Sequence, residues 1–209
     1  MIYILAIIVF LGAVLYSLFL LEFYTAAYYM AYAVMIGATI AFGFIMVHFY
    51  RVFIKGYAPY IRSSGRMVSE IISKIDFKEN SVVYELGCGD GRFLRALAKN
   101  KNIKAVGIEN FILPYALAVF FDLFSKNKIR LIYRDFFKTD LSRADYVFCY
   151  LMPRSMDILE EKLGRELKPG AVIISNTFRF KSWPLEKEIF LDEAKKAGLN
   201  KKLFIYKKV

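Results

Sequence analysis

Two apolar runs open the chain. Residues 2–21 (IYILAIIVFLGAVLYSLFLL) carry no charge, and twenty helical residues at about 1.5 Å each span a hydrocarbon core roughly 30 Å thick. Glu22 and the stretch FYTAAYY follow, then a second uncharged run from about Met30 to Tyr50. Together they are too long for one span. The pattern predicts a hairpin of two transmembrane helices, over about 2–20 and 30–49, joined by a tight turn near 22–28. Tyr24, Tyr28, Tyr29 and Tyr50, with His48, then fall at the two membrane interfaces, where amphipathic rings are favoured. Gly12, Gly37 and Gly43 read as ordinary packing glycines, since Gly37 and Gly43 lack the four-residue spacing of a close-packing motif. The alternative is a substrate groove where the helices meet the next domain. A secretory signal competes for the first run, but it lacks a charged start, is too long, and is followed by a second apolar run.

From residue 51 the pattern changes. Residues 51–65 (RVFIKGYAPYIRSSG) hold Gly, Pro and paired Ser, which reads as a juxtamembrane linker and a cap. Ser64 suits the N-cap of a helix over about 66–75, with Met67, Val68, Ile71, Ile72 and Ile75 as its apolar stripe. Short apolar runs then alternate with helical periodicity. Strands are expected at 82–86, 104–109, 129–133, 145–151 and 170–175, and helices at 91–99, 113–124 and 155–167. That alternation implies an α/β domain over 66–209 with a doubly wound, mostly parallel sheet. At the C-terminal end, 186–191 and 203–209 form an antiparallel hairpin around a polar insertion, 192–201. The competing reading is a helix over 185–197 followed by one strand.

Charge sharpens the division. All 30 Lys and Arg and every acid except Glu22 lie in 51–209. Arg51, Lys55, Arg62, Arg66 and Lys74 crowd just after the second apolar run, so the positive-inside rule puts the following domain on the cytoplasmic face. Hydrophobic residues at 57% exclude a disordered chain. Two Cys exclude a disulfide scaffold, and Cys88 and Cys149 are expected as free thiols. One His excludes a multi-histidine metal site.

The most informative stretch is Glu85-Leu86-Gly87-Cys88-Gly89-Asp90-Gly91, where the first strand of the sheet turns into a helix. Ligands bind at the carboxyl ends of such strands. Glycine lets the backbone turn tightly or approach a ligand closely, and a helix N-terminus offers free N–H groups. A dinucleotide fingerprint would need its third glycine at 92, which is Arg, and no Gly-Lys-Ser/Thr follows for a phosphate loop. Glu109-Asn110 closes the second strand and Asp135-Phe136 follows the third, so acids recur in phase with three successive strands.

The pattern E-x-G-x-G-x-G resembles the first motif of class I S-adenosylmethionine-dependent methyltransferases, which have a Rossmann-like sheet with an antiparallel C-terminal strand. The resemblance implies that the loop Gly87–Gly91 wraps the amino-acid end of the cofactor and that Glu85 helps hold it. It implies that Glu109 accepts the ribose hydroxyls, beside Asn110, since an ionised acid offers several acceptor positions. Asp135 then meets the adenine amino group and Phe136 packs on the ring. The loop after the fourth strand, Tyr150-Leu151-Met152-Pro153, faces the transferable methyl. Tyr150 and Pro153 are the substrate-facing candidates, Tyr150 also touching cofactor. Their plain readings are a core tyrosine and a helix start. The Asn/Asp-Pro-Pro-aromatic motif of many N-methyltransferases is absent.

Three further features narrow the resemblance: YLMP, the run LEEKLGRELKPGAVIISNTF, and Trp183-Pro184. They are similar to the membrane-anchored lysine methyltransferases, whose mitochondrial members modify the adenine nucleotide translocase and the c subunit of ATP synthase. Pro59-Tyr60-Ile61-Arg62-Ser63 matches an element that family often has before the glycine loop. Arg154, Asn176 and the insertion 192–201 depart from the family pattern. The resemblance implies a lysine of a membrane protein as substrate, S-adenosylmethionine as cofactor, and a bilayer contact through residues 2–49. Rival readings are a methyltransferase acting on a lipid head group or a membrane-bound small molecule, and a scaffold with a vestigial cofactor loop. The net +12 of residues 51–209 suits a nucleic-acid partner, against which the membrane tether argues.

Overall fold

The structure is a computed structural model describing the backbone of residues 2–50, 62–192 and 202–209. Most of the 51–65 linker, including Pro59, Tyr60 and Ile61, lies outside the described residues, as do the side chain of His48 and nearly all of the 192–201 insertion. The chain divides into two compact units, Met1–Ile54 and Lys55–Val209.

The first unit is one helix, α1 (Ile2–Phe49), of 48 residues. The hairpin expected from the sequence is not there: residues 22–28 are helical throughout. The physical reason is local. Nothing in that stretch breaks a helix, since it holds neither Gly nor Pro. The Thr25 hydroxyl is absorbed into the helix by donating to the carbonyls of Leu21 (3.0 Å) and Glu22 (2.8 Å). Among the described residues, the stretch Val9–Val47 is long and apolar enough to cross a membrane by length and composition.

The second unit begins with α2 (Gly65–Lys74), whose N-cap is Ser64, accepting from the Met67 N–H at 3.2 Å. The remaining elements are β1 (Val82–Leu86), α3 (Arg92–Asn100), β2 (Lys104–Glu109), α4 (Ile112–Leu123), β3 (Arg130–Tyr133), β4 (Tyr146–Cys149), α5 (Pro153–Glu166), β5 (Val172–Asn176), β6 (Lys187–Phe190) and β7 (Lys202–Lys207). The seven strands form one sheet in the order β3-β2-β1-β4-β5-β7-β6. The first five are parallel, and β7 runs antiparallel to β5 and β6 on either side of it. The C-terminal pair is the expected antiparallel hairpin, and β6 stands where a helix was the alternative. The crossover from β3 to β4 carries only a 3-10 turn, Phe136–Lys138.

Both faces of the sheet are covered, which is why its strands read as continuous apolar runs. On one face Val83, Ala105 and Phe148 pack with Ile71 of α2 and Leu94 and Leu97 of α3. On the other, Tyr84, Val106 and Val147 pack with Met156, Leu159 and Leu163 of α5. Each such fully buried Leu contributes about 1.5–3 kcal/mol. Register then aligns the strand ends. Leu86 pairs with Ile108 on one side and Cys149 on the other, so the residues following β1, β2 and β4 emerge side by side.

Candidate active site

The turn from β1 into α3 is built on left-handed backbone. Gly87, Gly89 and Gly91 have φ of 72°, 56° and 71°, a region open to glycine at no steric cost and expensive for other residues. The turn is tied to β2 by the Gly87 and Cys88 N–H groups, which donate to the Ile108 carbonyl at 2.8 and 3.0 Å. Glu109 fixes its outer part. Oε2 accepts from the Gly89 N–H at 2.9 Å, and Oε1 accepts from the N–H groups of Asn110 (2.9 Å) and Phe111 (2.8 Å). One carboxylate thus links the glycine turn to the start of α4.

Beneath the turn, β2 carries Gly107, and its glycine is a packing requirement. A Cβ there would stand 2.8 Å from Cys88 Sγ and 3.1 Å from Leu131 Cδ2. Asp90 is 3% exposed and sits between two guanidinium groups, Arg92 Nε at 3.3 Å and Arg62 Nε at 3.4 Å. Arg92 also donates to the Ser63 carbonyl at 2.6 Å, which holds the segment before α2 against the turn.

These elements enclose a cavity at the carboxyl ends of β1, β2 and β4. Of the sequence-predicted residues, Glu85, Gly87, Cys88, Gly89, Asp90, Glu109, Asn110, Phe136 and Tyr150 line it. Gly91 lies behind the wall as the left-handed N-cap of α3. Asp135 caps the 3-10 turn, accepting from the Phe137 N–H at 2.9 Å, and does not line the cavity. Pro153 is the exposed first residue of α5, also outside the wall, as a plain helix start would be. Among the lining residues that sequence reasoning had not placed here are Val68 and Ile71 from α2, Phe93 from α3, Phe148 from β4 and Phe178 after β5. Phe93 and Phe148 stack at 4.2 Å. Their signal in the sequence was only apolar character, shared with the whole core.

The polar side of the cavity is incomplete without a ligand. Glu85 Oε2 and Asn110 Nδ2 are buried and have no hydrogen-bond partner, a condition that costs about 1–3 kcal/mol per group. Burial, then repulsion from Asp90 and Glu109, pushes the Glu85 carboxyl well above the usual carboxylate range, with Arg95 opposing the rise. A bare acid, a bare amide and a glycine cradle suit a ligand that brings an ammonium and hydroxyl groups. S-adenosylmethionine brings both, on its methionine end and its ribose. Burial also pushes the Cys88 thiol well above its ordinary value and the Cys149 thiol up to about 12, so neither is a nucleophile. Among the described residues no cluster of His, Cys, Asp and Glu is arranged to hold a metal.

Glu160 shapes the neighbouring loop. Its buried carboxylate accepts from the N–H groups of Lys181 (3.2 Å), Ser182 (2.7 Å) and Trp183 (2.7 Å), pinning that loop to α5.

The chain is similar to known proteins. The family model for the ANTKMT methyltransferase domain matches residues 85–187. A protein-lysine N-methyltransferase of Saccharolobus islandicus is 29% identical over 153 residues, covering 72% of this chain and 93% of that protein. The adenine nucleotide translocase lysine N-methyltransferase of Mus musculus is 30% identical over 137 residues, 65% of this chain; the chain spans only 59% of that enzyme's length. Among solved structures, an RNA methyltransferase from Salinibacter ruber in complex with S-adenosyl-L-homocysteine superposes with a TM-score of 0.62 at 23% identity. It covers 70% of this chain and 93% of that one, and shows that the fold is shared. Since the family match begins at the very acid that opens the glycine turn and runs through every strand contributing to the cavity, the chain is an S-adenosylmethionine-dependent methyltransferase.

Proposed function

We propose that this enzyme is a protein-lysine N-methyltransferase held at a membrane by α1, acting on a lysine of a membrane protein. The observation that carries the reading is the similarity to the Saccharolobus protein-lysine N-methyltransferase across nearly that protein's whole length. Relatives named as lysine methyltransferases of the adenine nucleotide translocase and of ATP synthase support a protein substrate. The length and composition of α1 support the anchor, and the cations that follow it support a cytoplasmic catalytic domain.

When bound, S-adenosylmethionine supplies an electrophilic methyl group on sulfur. Glu85, with the turn Gly87–Gly91, would hold its methionine end, and Glu109 and Asn110 its ribose. Asp135 and Phe136 would meet the adenine. The substrate would enter past Tyr150, Met152 and Phe178, a wall that is mainly apolar and aromatic. A lysine ammonium moving against such a wall loses hydration, which lowers its pKa and favours the neutral amine. Tyr150 orients that amine, and Pro153 sets the entry angle of α5 behind the Tyr150–Met152 loop. No dedicated base is then required; holding nucleophile and methyl in line does most of the work.

The test uses the full-length protein, membranes from its own source and methyl-labelled cofactor, against a Gly89→Arg variant. Gly89 has φ of 56°, so Arg both strains the turn and fills the cradle. Label in a protein band that digests to methyl-lysine, lost in the variant, is the expected result. Label extracted into organic solvent would replace the protein substrate with a lipid head group. Cofactor binding without transfer to any membrane component would sink the membrane-substrate reading.

A further inference from the structure

Helix α4 (ILPYALAVFFDL) is built inside out for a water-facing helix. Its buried residues are the small ones, Pro114 and Ala118, while its large side chains face outward. Phe120 is 54% exposed, Leu123 67%, and Phe124, just past the helix, 76%. In the same domain α3 does the opposite, burying Phe93, Leu94 and Leu97 and leaving Lys99 and Asn100 exposed. Contiguous exposed apolar surface of this kind marks a site of association. At 12 residues, about 18 Å long, α4 is too short to span a bilayer and long enough to lie in its surface.

Charge around the patch selects among occupants. From Asn110 to Arg134 there are four cations, Lys126, Lys128, Arg130 and Arg134, against one acid, Asp122. The Asp122 carboxylate turns inward to accept from the Ile129 N–H at 3.3 Å. Lys128 donates to the last carbonyls of α4, those of Asp122 and Leu123, which keeps a cation at the end of the apolar face. Tyr133, 51% exposed, lies with its ring 5.2 Å from that of Tyr115, placing amphipathic rings beside the face. A second copy of the chain docked by two-fold symmetry would set this cationic rim against itself. An anionic lipid surface meets both the apolar face and the rim.

We propose that α4 is an interfacial docking helix. Leu113, Leu117, Phe120, Leu123 and Phe124 enter the headgroup–acyl boundary of an anionic bilayer, with Lys126, Arg130 and Arg134 on the lipid phosphates. Because Phe111, just before α4, lines the cofactor cavity, docking holds the mouth of that cavity at headgroup level. The proposal rests on the membrane reading above only for the presence of a bilayer. Methyl transfer itself does not depend on it.

The test places an environment-sensitive fluorophore on Phe124→Cys in the full chain, reconstituted in vesicles containing roughly 30% anionic lipid. Cys88 and Cys149 are buried and do not compete for label. Lys104→Cys, at the opposite end of β2, is the control. Lipids with a quencher near the headgroups should quench position 124 several-fold more than position 104. The difference should shrink in zwitterionic vesicles and at high salt. A chain that floats with the vesicles while both positions stay unquenched overturns the docking helix and leaves the anchor standing. Protection of position 124 that rises with protein density, without lipid quenching, would give the face to a second copy. A chain that fails to float overturns docking and anchor together, with methyl transfer to a soluble lysine peptide still to be read separately.

Discussion

Gly107→Ala tests how the cofactor turn is supported from below. The new Cβ would stand 2.8 Å from Cys88 Sγ, 0.6 Å inside the 3.4 Å at which ordinary contact begins, and 3.1 Å from both Cys88 Cβ and Leu131 Cδ2. Gly107 pairs with Glu85 of β1 and Leu131 of β3 in the middle of the sheet, so its own backbone cannot retreat. The strain falls on Cys88, whose N–H is fixed to Ile108 at 3.0 Å. Overpacking of this kind costs about 1–3 kcal/mol, and for a domain of this size each kcal/mol lowers Tm by about 2–4 °C. The assay is thermal unfolding with and without saturating cofactor, plus a cofactor titration. Gly107→Ala should lower Tm by about 2–12 °C by those figures and weaken cofactor binding, because Cys88 lies in the cavity wall. Cys88→Ala removes the closest atom, so the double variant should be more stable than the sum of the two single changes predicts. Strict additivity would refute the reasoning.

Two further changes probe buried carboxylates. Burial holds the folded-state pKa of Glu85 above its ordinary 4.5, so the folded state binds the extra proton. The cost of ionising it is absent below about that value and grows as pH rises toward the folded-state pKa. Glu85→Gln should therefore raise the Tm of the cofactor-free protein more at pH 8 than at pH 5, while weakening cofactor binding; an equal effect at both pH values would show that Glu85 is not the strained group. Glu160→Ala leaves three loop N–H groups without their acceptor and should cost about 2–4 kcal/mol in denaturant unfolding. Proteolysis should then be faster at residues 181–183, and unchanged stability would mean that water replaces the carboxylate.

Several features are legible in the sequence for identifiable reasons. The parallel strands are visible because a sheet covered on both faces needs unbroken apolar runs, and VVYEL and KAVGIE supply them. The glycine turn is visible because left-handed backbone requires glycine, and three of them alternate at a strand end. Ser64 announces α2 because a side-chain acceptor meets its first N–H groups. The hairpin expected in residues 2–49 fails because bilayer thickness limits the length of a span but does not bend a chain, and residues 22–28 carry no helix breaker. Gly107 and Glu160 are invisible in the sequence, since their roles depend on partners distant along the chain, Cys88 in one case and the 181–183 loop in the other. Asp135 shows the same limit in reverse. It follows its strand in phase, and that spacing gives no sign of the local cap its carboxylate forms with the Phe137 N–H.

The unpartnered Glu85 oxygen has a consequence for the life of the protein in a cell. A buried carboxylate oxygen with no hydrogen-bond partner makes the cofactor-free domain the weaker form. Ligand binding adds RT ln(1 + [L]/Kd) to its stability, and the fraction that unfolds is what proteases remove. Steady-state abundance of this enzyme should then follow the supply of methyl donor, so that starvation for methionine depletes the catalyst along with its cofactor.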